Sequence, residues 1–93
     1  MEYETIEALL PYLKVDLGIT ATAYDERLKQ YLQAAAAEIE REGATLDEEI
    51  DSKQLVIMYA AWMWRRRDTG EGMPRMVRYA LNNRIFAGKM SEE

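Results

Sequence analysis

Cysteine and histidine are both absent from the 93 residues of this chain. Without cysteine the chain can form neither a disulfide nor a thiolate metal site, and without histidine it lacks the commonest metal ligand and the commonest general base. Only a metal site made of carboxylates would remain. We therefore expect no enzymatic activity and no bound metal.

Long apolar runs are also missing. The longest nearly uncharged stretch, Gln54–Trp64, is too short to cross a bilayer. The segment Met1–Thr5 carries two glutamates and no basic residue, which is not the pattern of a signal peptide. We therefore expect no membrane association and an intracellular protein.

The size of the chain predicts a single domain, residues 1–93, with a small core. A chain of this length buries only about two-thirds of the surface that its unfolded form exposes. Its core should supply on the order of 3–5 kcal/mol, which natural small domains supplement with disulfides, metals or oligomers. Because cysteine and histidine are missing, self-association is the supplement that remains most readily available.

Charge is distributed unevenly along the sequence. Residues 1–52 contain four Lys or Arg and thirteen Asp or Glu, a net charge of −9, whereas residues 53–93 contain eight and four, a net charge of +4. Such a chain can attract a second copy head to tail. The alternative is a chance imbalance in which both regions are simply solvated.

Apolar residues at helical spacing predict an all-α fold, a small bundle of about four helices. No segment shows the alternation expected of a strand, apart from a weak candidate at Lys14–Thr20. Two longer central helices, at about residues 22–42 and 52–68, should be flanked by shorter ones. The predicted helices are Thr5–Lys14, Thr22–Glu42, Ser52–Asp68 and Pro74–Ala87.

Several residues predict where the helices begin and end. Pro11 should kink the first helix or delay its start. Asp51 should be the N-cap of the third helix, with Gln54 completing a capping box. Pro74 fits the first position of the fourth helix, and Gly88 fits its end.

Neither of the two long connections has the pattern of a known site. The acidic loop Ala44–Ile50 is expected to be solvated, and it lacks the alternating oxygen ligands and central glycine of a calcium loop. The glycines in Asp68–Met73 are followed by no Gly-Lys-Ser/Thr, which excludes a phosphate-binding loop.

The run Arg65-Arg66-Arg67 lies near the end of the third predicted helix and has three interpretations. Its side chains project about 100° apart, so they cannot all face one partner. They could solubilise the helix end and complement its dipole, contact nucleic acid together with Arg75, Arg78 and Arg84, or pair with the acidic region of a neighbouring subunit.

Two further features suggest close packing with another element. Trp62 and Trp64 lie about 200° apart on a helix, so we expect that one small core cannot bury both rings. One ring should meet a loop or another subunit. The run Ala34–Ala37 reflects either high helix propensity or close helix approach on two sides.

Several segments are characteristic in their joint order, and none of them is catalytic. They are Leu13–Leu17, Tyr24–Leu28, Tyr59–Asp68, Gly72–Met76 and Arg78–Arg84. In these segments the chain resembles the head-tail connector, or adaptor, proteins of long-tailed bacteriophages and prophages, which are often labelled DNA-packaging proteins. The resemblance covers about Ile6 to Met90, and Pro11 and the acidic loop after Gly43 are not part of it.

This resemblance implies a virion structural protein, without enzymatic activity and without a cofactor, that forms a homo-oligomeric ring below the portal. The ring would extend the DNA channel, let the genome pass without sequence-specific binding, and offer a platform to the next head-completion or tail protein. The protein would lie in the virion at the head-tail junction, and in the bacterial cytoplasm during assembly. The candidate residues for contact with a subunit or the portal are Trp62, Trp64, Arg65, Arg66, Arg67, Arg75 and Arg78. The rival hypothesis is a small helical DNA-binding regulator.

Overall fold

Four α-helices follow one another in the computed structural model, which describes the backbone of residues 1–92 and the side chains of residues 1–89. Within that range there is no β-strand, so the predicted all-α class is confirmed. The weak strand candidate at residues 14–20 is the end of the first helix and the turn after it. The helices are α1 (Tyr3–Leu17), α2 (Asp25–Arg41), α3 (Ile50–Thr69) and α4 (Arg75–Glu92).

Helix α3 is the centre of the bundle. It packs against α1, α2 and α4, whereas α4 packs mainly against α3. The core is built from the apolar faces of α1 and α2 and from nearly every side of α3. Helix α4 adds only Val77 and Leu81 to the buried residues among those described, so most of its surface faces solvent. The fold therefore leaves α4 with an unpartnered outer side.

The predicted face of α2 is confirmed in the core. Leu28, Leu32 and Ile39 are fully buried, as the helical spacing indicates. In the alanine run, Ala35 and Ala36 are buried, whereas the alanines on either side of them are exposed. The run thus packs within the chain on one side only.

Helix α1 begins earlier than predicted and passes through its proline. It starts at Tyr3 and continues beyond Pro11 to Leu17, where Gly18 ends it in the left-handed conformation at φ 70°. The delayed start expected from Pro11 is therefore wrong. Proline removes one backbone donor, but Leu10 and Leu13, on either side of it, remain buried in the core and hold the helix in place.

The predicted N-cap of α3 is also wrong. Glu49 is the N-cap and Asp51 lies inside the first turn. Asp47 closes this end instead, because its Oδ1 accepts from the Glu49 N–H at 2.9 Å and from the Ser52 hydroxyl at 2.9 Å. The Ser52 hydroxyl in turn accepts from the Asp47 N–H at 3.2 Å, so this buried hydroxyl is fully satisfied.

Helix α4 is longer than predicted at its C-terminal end. Pro74 precedes the helix, and its carbonyl accepts the Arg78 N–H at 3.1 Å. Gly88 does not end the helix, which continues to Glu92. Gly88 lies against Thr45, and a Cβ placed there would be 3.4 Å from the threonine Oγ1. The glycine therefore marks where α4 passes the α2–α3 loop.

The substitution Gly88→Ala should stabilise the protein. Alanine favours a helix interior by about 0.5–1 kcal/mol over glycine, and the added methyl would meet Thr45 at an ordinary contact distance. Gly70→Ala should instead destabilise by about 1 kcal/mol, because Gly70 has φ 66°. Urea denaturation of both variants measures the change in the free energy of unfolding, which should rise for Gly88→Ala and fall for Gly70→Ala. Destabilisation by Gly88→Ala would contradict a continuous α4.

Candidate functional site

The arginines of the run Arg65–Arg67 point to separate partners within the chain. Arg65 Nη2 donates to the carbonyl of Asp16 at 3.0 Å, which ties the end of α3 to the end of α1. Arg66 and Arg67 each lie over a tryptophan ring. The structure therefore does not bring these three guanidinium groups into one basic patch.

Trp62 is 8% exposed and faces the α3–α4 loop. Its indole N–H donates to the carbonyls of Gly72 at 3.1 Å and Glu71 at 3.3 Å. Its ring meets that of Tyr59 edge to face, with centroids 5.3 Å apart, and the Arg66 guanidinium lies 4.6 Å from its centroid. Of the two expected partners for this ring, the structure provides the loop.

Trp64 is 9% exposed and faces α2. The rings of Tyr24 and Tyr31 meet it edge to face at centroid distances of 5.8 and 5.3 Å, and the Arg67 guanidinium lies 3.9 Å above it. The expectation that one core could not bury both tryptophans is therefore wrong. A central helix has neighbours on opposite sides, so residues 200° apart can both be covered.

The predicted contact arginines of α4 differ in their surroundings. Among the residues that the structure describes, Arg75 is exposed and has no hydrogen-bond or ion-pair partner. Arg78 lies 3.9 Å from the Glu42 carboxylate, a half-exposed pair that contributes little to stability. Both cations therefore remain available to a partner.

Arg84 joins α4 to the acidic loop. Its Nε donates to the Thr45 carbonyl at 2.9 Å, and its Nη2 contacts Asp47 Oδ2 at 2.5 Å. The N–H of Glu49, the hydroxyl of Ser52 and the Arg84 guanidinium together lower the pKa of Asp47 below its ordinary value of 3.8. The loop is thus anchored at Asp47 rather than freely solvated.

Ionisation of Asp47 should make part of the free energy of unfolding depend on pH in the acidic range. Because its folded-state pKa is lowered, its contribution is complete above pH 3.8 and is lost as the pH falls through the lowered value. The Asp47→Asn variant should therefore have a lower melting temperature than the wild-type protein at pH 7. This difference in melting temperature should disappear in strong acid, where Asp47 is protonated. Thermal melts from pH 7 to about pH 2 measure this difference. Glu71→Gln, whose carboxylate has no partner among the described residues, is the control and should leave the difference near zero.

An open groove lies between α1 and the beginning of α3, and we call it the α1–α3 groove. Its volume is about 450 Å³, and two large apolar side chains at its edge are exposed, Tyr12 at 64% and Ile50 at 78%. Large apolar side chains exposed at the edge of a groove are a feature of interaction surfaces when they form a contiguous patch. The lining residues are Ala8, Leu9, Tyr12, Glu48, Ile50, Lys53, Gln54 and Ile57.

A second apolar surface runs along the outer side of α4, and we call it the α4 stripe. It consists of Met76, Tyr79 and Phe86, which are all more than half exposed. Their spacing, with Asn83 between them, places all four residues on one side of the helix. Since Val77 and Leu81 face the core, the stripe points away from the rest of the chain.

Neither surface corresponds to a sequence motif. The available signal was apolar residues outside the predicted core faces: Tyr12 in α1, and Met76 and Phe86 in α4. These side chains are more than half exposed, whereas the predicted apolar anchors Trp62 and Trp64 are 8% and 9% exposed.

Among the described side chains, those of residues 1–89, no group of three or more acidic residues is arranged to hold a metal ion. None of the helices in the described part of the chain combines the length and the apolar character needed to cross a membrane. Comparisons of the chain with protein-family models, with curated proteins and with solved structures gave no match.

Proposed function

We propose that this chain is a structural subunit of a bacteriophage head-tail junction, a connector that forms a ring below the portal. The observation that carries the proposal is the presence of two exposed apolar surfaces on different elements, the α1–α3 groove and the α4 stripe. The motif order of the sequence, which resembles the connector family, supports the same conclusion.

Two different surfaces on one chain favour assembly into a ring. A contact that joins one patch to a different patch leaves one copy of each patch free, at opposite ends of the assembly, so further copies can add. The assembly closes into a ring where the rotation between neighbours permits it, and otherwise grows as an open filament. A small core also gains stability from such neighbours, because association draws the folding equilibrium toward the folded state. The fold thus suits a protein that acts as one of many copies.

In this proposal the partners are the portal protein, neighbouring copies and the next head-completion or tail protein. The genome would pass through the ring without sequence-specific contact. The chain carries a net charge of −5, and an acidic channel wall would not neutralise DNA phosphates. DNA could then slide through without adhering.

The rival function is a small helical DNA-binding regulator, which would need cations gathered on one face. Arg66 and Arg67 lie over tryptophan rings and Arg84 is held by the acidic loop, so the exposed cations of α4, Arg75, Arg78 and Lys89, would have to form that face. These three border the exposed apolar α4 stripe, which favours a protein partner over DNA phosphates. We therefore propose the connector, and a gel shift of duplex DNA by the purified chain at moderate salt would favour the rival.

The test begins with the genes beside the one that encodes this chain. Portal, capsid and tail genes should flank it, and the portal protein encoded there should capture the purified chain in a pull-down assay. Negative-stain images of the complex should show added density below the portal. A neighbourhood without virion genes, or a portal that does not bind the chain at any salt concentration, would contradict the proposed function.

A further inference from the structure

We propose that the α4 stripe of one copy docks into the α1–α3 groove of the next copy. The inference deepens the proposed function, because it names the two surfaces that join neighbouring subunits. It rests on that function only for the statement that the contacts close into a ring.

The shapes of the two surfaces are suited to a helix lying in a groove. The groove has apolar walls, formed by Ala8 and Leu9 on one side and Ile57 on the other, and it is open to solvent. The stripe presents three large side chains from one side of a helix, the pattern by which amphipathic helices bind apolar grooves. The helix that carries the stripe is held by its opposite side, so docking requires no rearrangement of the core.

Charge favours the same pairing. Residues 75–89, which include the whole stripe, contain four cations and no acidic residue. The groove is bordered by carboxylates on α1 and in the α2–α3 loop, and its one cation, Lys53, already lies 3.8 Å from Glu48. Docking therefore brings a cationic helix against an anionic border. The exposed cations beside the stripe are Arg75, Arg78 and Lys89, and the exposed carboxylates beside the groove are Glu48 in its lining, Glu49 next to Ile50, and Glu4 one turn before Ala8 on α1.

The same charges oppose symmetric pairing. Two α4 stripes facing each other would bring cations against cations, and two grooves facing each other would bring carboxylates against carboxylates. Both arrangements are strongly unfavourable because like charges repel across an interface. The second copy therefore binds head to tail. This arrangement gives a testable rule: a defect in one surface can be complemented by a copy defective only in the other.

The test uses two variants that change exposed side chains only. The stripe variant carries Tyr79→Glu and Phe86→Glu and keeps its groove, whereas the groove variant carries Tyr12→Lys and Ile50→Lys and keeps its stripe. Circular dichroism confirms that both remain helical. The readout is the amide NMR spectrum of the labelled stripe variant titrated with the unlabelled groove variant to about 1 mM, which detects affinities as weak as −4 kcal/mol.

We expect each variant to be monomeric alone and the mixture to form one-to-one complexes, with shifts concentrated around Ala8 and Ile57. Self-titration of either variant should be at least about tenfold weaker, the loss typical of removing central interface residues. The inference is overturned if the mixture shows no shifts by about 1 mM, or if either variant associates with itself as strongly as the mixture does. Since no portal is present, this result is independent of whether the portal captures the chain.

Discussion

Replacing Trp64 with alanine should remove a large share of the stability of the isolated chain. The ring is 9% exposed and packs between two tyrosine rings and the Arg67 guanidinium. Truncating a buried tryptophan costs about 3–5 kcal/mol. A chain of 93 residues has a total of only about 5–14 kcal/mol at typical values per residue. Guanidinium denaturation followed by circular dichroism measures the loss of unfolding free energy.

A conservative variant and a change of protein concentration show whether the Trp64 ring is covered by its own chain. Trp64→Phe keeps an aromatic ring against both tyrosines and should cost clearly less than the alanine variant. The loss caused by Trp64→Ala should also be the same in dilute and in concentrated protein, because the ring is covered by its own chain. An alanine variant within about 1 kcal/mol of wild type in dilute solution would show that a neighbouring copy covers the ring.

Reversing the charge of Arg75 should weaken self-association more than tenfold at low salt. Arg75 lies beside the α4 stripe and is free of partners among the described residues, so its loss should not disturb the fold. Glutamate there would face the carboxylates that border the α1–α3 groove, and like charges across an interface cost several kcal/mol. Sedimentation velocity at low ionic strength measures the change, which should fall as salt screens the charges.

The control for Arg75→Glu is Arg27→Glu on α2. Both arginines are exposed and neither has a polar partner within the described residues, so the two variants reach the same net charge. Only Arg75 is beside a proposed docking surface. Equal effects from the two variants would mean that net charge alone governs association, and α4 would then have no special part in it.

The helices could be predicted from the sequence because their core positions recur at helical spacing. Leu28, Leu32 and Ile39 of α2, and Val77 and Leu81 of α4, lie in the core as that spacing indicates. Local rules were less reliable at the helix ends, where contacts with other elements decide the outcome. The Asp47–Ser52 contact replaces the predicted cap, and α4 continues through Gly88, where it passes Thr45 of the α2–α3 loop.

The interaction surfaces could not be predicted from motifs because they depend on how the helices are arranged. Trp62 and Trp64 are of the residue type that is enriched at interfaces, yet the central position of α3 buries both of them. Tyr12 and Ile50 lie 38 positions apart in the sequence and line the same groove only because α1 packs beside α3. Periodicity identifies which residues leave the core, but tertiary packing determines which of them come together.

Negative-stain electron microscopy of the purified chain, alone and with its portal, tests the central claim most directly. The account predicts rings with one subunit number and an open centre at low salt and high protein concentration, dissociating as salt rises. Rings should also form on the portal at lower protein concentration. A chain that stays monomeric across all salt and protein concentrations, and also in the presence of the portal, would contradict the account.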